Sequence, residues 1–300
     1  MNHTQASKQR GVATLIGATA ILLWATLAPL TTLAGSLPPF QLTAMSFTLA
    51  FIIGLVLWLR RGEPIVQHLR LPAQVWALGI FGLFGYHFFY FMALRRAPAV
   101  EASLIAYLWP LLIVLFSALL PGETLRWFHV AGAITAFAGA ALLVTGGQTL
   151  AFASTYAVGY GLALLCAFTW SGYSVLSRRF GAIPTDAVGG FCGVTAILAL
   201  ICHLIFETTV WPGGWEWLAV LGLGLGPVGV AFYTWDYGVK RGNIIVLGAL
   251  SYAAPLLSTV LLITLNLAEP TGALIIACLL IVGGAILASV DSWWRAGEPK

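Results

Sequence analysis

Ten stretches of this chain, each about the length of a membrane-crossing helix and nearly free of charge, follow one another from end to end. A helix needs about 20 apolar residues to cross the hydrocarbon of a bilayer. Inside lipid the backbone must satisfy its own hydrogen bonds, which leaves helices or closed barrels. The stretches lie at 11–34, 40–60, 73–95, 99–120, 127–147, 156–178, 186–206, 214–239, 243–265 and 270–290. Turn and polar residues punctuate them, as at Gly35-Ser36-Leu37-Pro38-Pro39 and Trp211-Pro212-Gly213-Gly214. The sequence therefore predicts an all-α membrane protein of ten transmembrane helices. Only 8% of the residues are charged, against about 25% in a soluble domain. A water-facing surface cannot be built from so few charges. The first stretch exceeds the roughly 7–15 apolar residues of a signal-peptide core and reads as a retained helix.

The cations give an orientation. With the first residues inside, Lys8, Arg10, Arg60, Arg61, Arg70, Arg126, Arg178, Arg179, Lys240, Arg241, Arg295 and Lys300 fall inside, and Arg95 and Arg96 outside. That bias predicts both termini in the cytoplasm, in the inner membrane of a bacterium. The net charge of +4 is then a topology signal, and no nucleic-acid partner is expected. Trp58, Trp76, Trp127, Trp211, Trp215, Trp217, Trp293 and Trp294 sit at the predicted span ends, where an indole suits the interface. Trp24, Trp109 and Trp170 fall near span centres instead. Cys166, Cys192, Cys202 and Cys278 lie in apolar stretches, with no CxxC and no metal-ligand spacing.

The chain also repeats itself at an offset of about 145 residues. Ala93-Leu94-Arg95-Arg96-Ala97-Pro98 matches Gly238-Val239-Lys240-Arg241-Gly242-Asn243, and Tyr107-Leu108-Trp109-Pro110-Leu111-Leu112 matches Tyr252-Ala253-Ala254-Pro255-Leu256-Leu257. Trp24 falls opposite Trp170. The expected division is 1–147 and 148–300, two repeats of one integral unit. Each holds five helices, an odd number, so the second enters the membrane from the other side, as in many secondary transporters. The inversion accounts for Arg95 and Arg96, whose repeat partners Lys240 and Arg241 lie inside. Small-residue steps, Gly132 to Ala136 and Gly284 to Ala288, predict close packing between the halves, with homodimerisation as the alternative and a monomer favoured.

Three sequence blocks resemble the drug/metabolite transporter superfamily, EamA type. They are ALRRAPAVEASLIAYLWPLL (93–112), the GETLRW turn (122–127) and AGAITAFAGAALL (131–143), with echoes at 238–257 and 268–288. The resemblance covers essentially the whole chain. Within the superfamily, YLWP (107–110) and GYHFFYFMALRRAP (85–98) are similar to YddG-type exporters of aromatic amino acids. The resemblance implies a central cavity lined mainly by helices 1, 3, 4, 6, 8 and 9, and export of amino acids with broad tolerance.

Residue chemistry narrows the solute. No charged side chain sits near a span centre, so a bare ion would lack a counter-charge, and a zwitterion or neutral molecule fits better. Pro110 and Pro255 occupy the centres of spans 4 and 9. Each frees the carbonyl four residues back, at Ala106 and Ser251, and each is a candidate hinge or a simple kink. Tyr107 and Tyr252 share a face with those prolines. Trp24, Tyr86, Tyr90, Trp109, Trp170, Tyr173 and Tyr233 are candidates to line an apolar cavity that stacks on a ring and attracts an ammonium. His87 is the one titratable group deep in a span, a core residue or a cavity residue. Asp236, four residues before Lys240, reads as an interface ion pair or a coupling carboxylate. Ser251, Ser171 and Ser174 complete the polar set. The expected substrate-binding set is Trp24, Tyr86, His87, Tyr90, Tyr107, Trp109, Trp170, Tyr173, Ser251 and Tyr252, with Pro110 and Pro255 as hinges.

The resulting expectation is a secondary transporter exporting amino acids, preferably aromatic or apolar, by alternating access. Its partners are that solute and membrane lipid, and neither cofactor nor metal is expected. Export of other neutral metabolites or drugs is the alternative. An intramembrane enzyme is the remote one, since HExxH, GxSxG and paired mid-membrane Asp residues are missing from the sequence.

Overall fold

The computed structural model describes residues 3–270 and 272–297. Lys300, expected inside, lies outside the described residues, and so do the side chains of Asp291, Trp293, Trp294 and Arg295. Ten apolar helical spans are present among the described residues: span 1 (Ser7–Leu33), span 2 (Pro39–Arg60), span 3 (Ala73–Leu94), span 4 (Ala99–Ser117), span 5 (Trp127–Thr145), span 6 (Ser154–Phe180), span 7 (Ala187–Phe206), span 8 (Gly214–Arg241), span 9 (Ile244–Thr264) and span 10 (Gly272–Val290). A short helix, Ile65–Leu69, lies between spans 2 and 3. No strand occurs among the described residues. The protein is an all-helical, multi-pass membrane protein. The face where span 1 begins is called the terminal face below, and the opposite one the far face.

The spans pair where glycine removes the side chain between two backbones. Span 5 runs along span 10, span 2 along span 7 and span 1 along span 8. A Cβ at Gly132 would stand 2.5 Å from the Gly284 carbonyl oxygen. One at Gly54 or Gly17 would stand 2.9 Å from the Cα of Gly189 or Gly238, respectively. Lipid offers no hydrophobic force to press helices together, so close backbone approach and van der Waals contact must do it. The small-residue steps of spans 5 and 10 therefore face each other within one chain.

Five of the spans are broken near mid-length. Span 4 turns at Tyr107 and Leu108, and span 9 at Ser251 and Tyr252, just ahead of Pro110 and Pro255. A proline has no N–H to give the preceding turn, so the helix restarts there. Spans 3 and 8 carry wide π-helical turns at Phe81–Gly85 and Gly226–Val230, again about 145 residues apart. A π turn shifts the hydrogen-bond register by one residue and frees a carbonyl. Span 1 breaks at Ala25 and Thr26. Only the proline breaks were expected.

Trp58 departs from its expected place as an interfacial anchor. It is fully buried, its ring stacked on His68 at 4.7 Å. Position at a span end does not fix which way a side chain faces. Trp127, Trp211 and Trp215 are more than 70% exposed, as anchors should be.

Candidate functional site

The breaks of spans 1, 3, 4 and 8 surround one cluster of aromatic rings. Trp24 is its centre, with ring centroids 5.0 Å from Trp235, 5.7 Å from Trp170, 6.0 Å from Trp109 and 6.3 Å from Phe232. Trp170 extends it to Tyr173 at 5.3 Å and Tyr86 at 5.5 Å. Phe47 joins it between Phe232, at 5.5 Å, and His87, at 5.1 Å. Edge-to-face and tilted arrangements dominate, the geometry that ring quadrupoles prefer.

The π turns hold this cluster by hydrogen bonds. The Trp24 indole N–H donates to the Pro227 carbonyl in the π turn of span 8, at 3.0 Å. His87 Nδ1 lies 2.7 Å from the Leu83 carbonyl in the π turn of span 3. A carbonyl can only accept, so Nδ1 carries the proton and Nε2 of the neutral ring remains an acceptor. Trp235 donates its indole N–H to the Ser174 hydroxyl at 3.1 Å. Tyr90 meets Ser103 at 3.0 Å. Tyr86, His87, Tyr90 and Tyr107 are part-buried on the same side, and Tyr90 and Tyr107 are electrostatic neighbours.

Eight of the ten sequence candidates thus gather at or beside one cluster. Ser251 and Tyr252 do not join it. Ser251 donates back to the Leu247 carbonyl of its own helix at 2.8 Å. Tyr252 is fully buried beside Ala136, Ala140 and Leu256, and its hydroxyl accepts from the Leu111 N–H at 3.1 Å. That N–H is released by the turn at Tyr107, so Tyr252 ties the break of span 4 to span 9. Tyr233 donates to the Ala50 carbonyl, away from the cluster. Pro110 and Pro255 are buried between helices. Phe47, Phe232 and Trp235 belong to the cluster but were missed. The 145-residue offset pairs Phe232 with His87 and Trp235 with Tyr90, a signal present in the sequence; Phe47 had none.

The centre is filled in this structure. Trp24, Trp109, Trp170 and Trp235 are each 9% exposed or less. Space opens instead at the far face, in a cavity of about 460 Å³ lined by Phe40, Phe91, Leu94, Arg95, Phe206 and Glu207. At the terminal face a pocket of about 10 Å³ lies between Gly79, Tyr173, Ser177, Phe191, Asp236 and Lys240.

The charges lie toward the two ends. At the terminal face Glu123 takes Arg10 at 2.6 Å and Arg178 at 2.9 Å, joining span 1, the turn after span 4 and the end of span 6. Arg178 also donates to the Gly242 carbonyl at 2.9 Å. Arg61 pairs with Asp186 at 2.8 Å and Lys240 with Asp236 at 2.9 Å. Glu63, His68 and Asp186 are close enough to share a cation, but Arg61 already supplies Asp186 with its counter-charge. At the far face Glu207 caps span 2, accepting from the Phe40 and Gln41 N–H groups at 3.0 and 3.1 Å.

Broken spans around an uncharged aromatic centre, with charged latches confined to the ends, define a multi-pass membrane carrier. The EamA-like transporter family matches the chain twice, at residues 11–145 and 157–290. The chain belongs to that family. It is 58% identical over 284 residues to the aromatic amino acid exporter YddG of Ancylobacter novellus, covering 94% of this chain and 98% of that one. The proteins of the same name from Salmonella typhimurium and Escherichia coli are 28% and 26% identical, covering 83% and 93% of this chain and 87% and 97% of theirs. A solved crystal structure 57% identical superposes with a TM-score of 0.89, covering 95% of this chain and 99% of that one.

Proposed function

We propose that this protein exports amino acids with aromatic or apolar side chains across the bacterial inner membrane. Its two five-span halves, 1–147 and 148–300, are inverted relative to each other, and both ends of the chain face the cytoplasm. The relatives named as aromatic amino acid exporters support the substrate class. The double family match and the twin π turns support the two halves.

The observation that carries the reading is the uncharged cage of Trp24, Trp109, Trp170 and Trp235. Indole faces stack on an aromatic side chain and attract an ammonium without a fixed counter-charge. His87 Nε2 and the carbonyls at the break of span 4 accept from the same ammonium. Substrate enters as the rings part, and the cage recloses behind it. The ion pairs of Glu123 seal the terminal face while the far cavity stands open.

The test is counterflow of labelled phenylalanine in proteoliposomes holding the full chain. Trp24→Ala or Trp170→Ala is expected to cut exchange about tenfold or more while insertion stays normal. Unchanged exchange in both variants refutes the cage as the site.

A further inference from the structure

The Asp236–Lys240 pair is expensive to bury, although Lys240 also donates to the Ile183 carbonyl at 3.1 Å and so ties span 8 to the turn after span 6. Both side chains are about 95% buried or more, inside a membrane span. Burying an ion pair there costs several kcal/mol of desolvation per ion, and apolar residues of similar size usually do as well or better. The internal repeat supplies a control. At the matching position of the first half, Phe91 stands where Asp236 stands in the second, and Arg95 where Lys240 stands. The same helix end is therefore built with a phenylalanine on one side of the membrane and an acid on the other.

The surroundings of the two positions correspond as well. Phe91 and Arg95 line the open far cavity of about 460 Å³. Asp236 and Lys240 line the terminal pocket of about 10 Å³, room for about one water. Into this pocket comes the Tyr173 hydroxyl, buried and without a hydrogen bond of good geometry, with Ser177 and Asp236 as its polar neighbours. A buried hydroxyl without a well-formed bond calls for an explanation, and an incoming ligand is one. Tyr173 is also in ring contact with Trp170, so the pocket adjoins the aromatic cage. Its ring rests on Gly82 in the π turn of span 3, where a Cβ would come within 2.4 Å of it.

We propose that Asp236, Lys240 and the Tyr173 hydroxyl form a loading site for the zwitterionic head of the substrate at the terminal face. This rests on the amino-acid exporter reading above. With the terminal mouth open, Lys240 takes the substrate carboxylate, with Tyr173 as a second donor, and Asp236 takes the ammonium. The internal pair is exchanged for two external ones, so no charge is left unbalanced. Onward movement into the cage lets Asp236 and Lys240 pair again at 2.9 Å behind the substrate. The site selects the head group, and the cage selects the side chain.

The experiment uses the full chain in proteoliposomes and three probes: phenylalanine, phenethylamine, which lacks the carboxylate, and 3-phenylpropanoate, which lacks the ammonium. Wild type is expected to prefer phenylalanine. Asp236→Asn should raise phenylpropanoate uptake relative to phenylalanine about tenfold, and Lys240→Gln should do the same for phenethylamine, the worth of one charge-assisted hydrogen bond. The double variant Asp236→Asn/Lys240→Gln leaves no lone buried charge, so it remains informative where a single variant fails to fold; it should lose discrimination among the three. Variants that move all three probes less, in constant ratio, reduce the pair to a structural one and overturn the loading site. A wild type that moves none of the probes overturns the exporter reading, and the loading site with it.

Discussion

Replacing Glu123 with glutamine should open the terminal face. Glu123 is 8% exposed and bridges two guanidinium groups, Arg10 at 2.6 Å and Arg178 at 2.9 Å, from opposite halves of the chain. A buried hydrogen bond to a charged group contributes about 1.5–3 kcal/mol, but an exposed ion pair only about 0.2–1. Arg10 and Arg178 side chains are 38% and 20% exposed, so each pair falls between those limits, near 1 kcal/mol. Glutamine keeps the shape and one neutral bond, which leaves a net loss of about 1–1.5 kcal/mol, or about tenfold in the population with the terminal mouth open. Cys192 reports that population. It is fully buried on span 7 beside Tyr173, in the part of the span nearer the terminal face. Labelling through rare opening scales with the open fraction when closing is fast. The rate of Cys192 alkylation by a small membrane-permeant maleimide, read by peptide mass, should rise about tenfold in Glu123→Gln. Labelling of Cys278, already part-exposed on span 10, should not change. An unchanged Cys192 rate in a variant with wild-type thermal stability refutes the latch.

Three further substitutions probe the cage and its frame. Trp24→Phe keeps a ring but removes the indole N–H from the Pro227 carbonyl, orphaning an acceptor in the π turn; it should cost about 1–3 kcal/mol in a detergent melt and lower phenylalanine exchange. Tyr252→Phe leaves the Leu111 N–H unsatisfied at the break of span 4, so the melting temperature should fall by a similar free energy while the order of preference among amino acids stays as in wild type. Gly132→Leu drives a side chain into the backbone of span 10, where the first carbon alone would stand 2.5 Å from an oxygen; loss of monodisperse protein in size-exclusion chromatography is the expected result, and a normal elution profile would contradict the close approach of spans 5 and 10.

The residues that sequence could place are those whose physics is local. Span length answers to bilayer thickness, so the ten helices and most of their ends were legible. Pro110 and Pro255 announce their breaks because a missing N–H is a property of the residue itself. The π turns are different. Phe81–Gly85 carries no proline, although its counterpart Gly226–Val230 holds Pro227, and the Tyr173 ring of another span seats against Gly82. Trp58 and Trp235 show the same limit. Both are fully buried, Trp58 on His68 and Trp235 in the cage, and neither orientation can be read from distance to a span end. Tyr252 shares the face of Pro255 as a helix period requires, yet that face looks toward spans 4 and 5.

The seam between spans 1 and 8 narrows at Gly17 and Gly238, where one backbone lies bare against the other. The seam runs on to both sides of this crossing, from the Thr14 hydroxyl, which takes the Asn243 N–H at 2.8 Å, to the Trp24 indole on the Pro227 carbonyl at 3.0 Å. A side chain at the bare crossing would act as a wedge and pull at both of these bonds. Any tilt of span 1 against span 8 must therefore stretch one of them, and glycine at the middle keeps the two rods close enough for both to form.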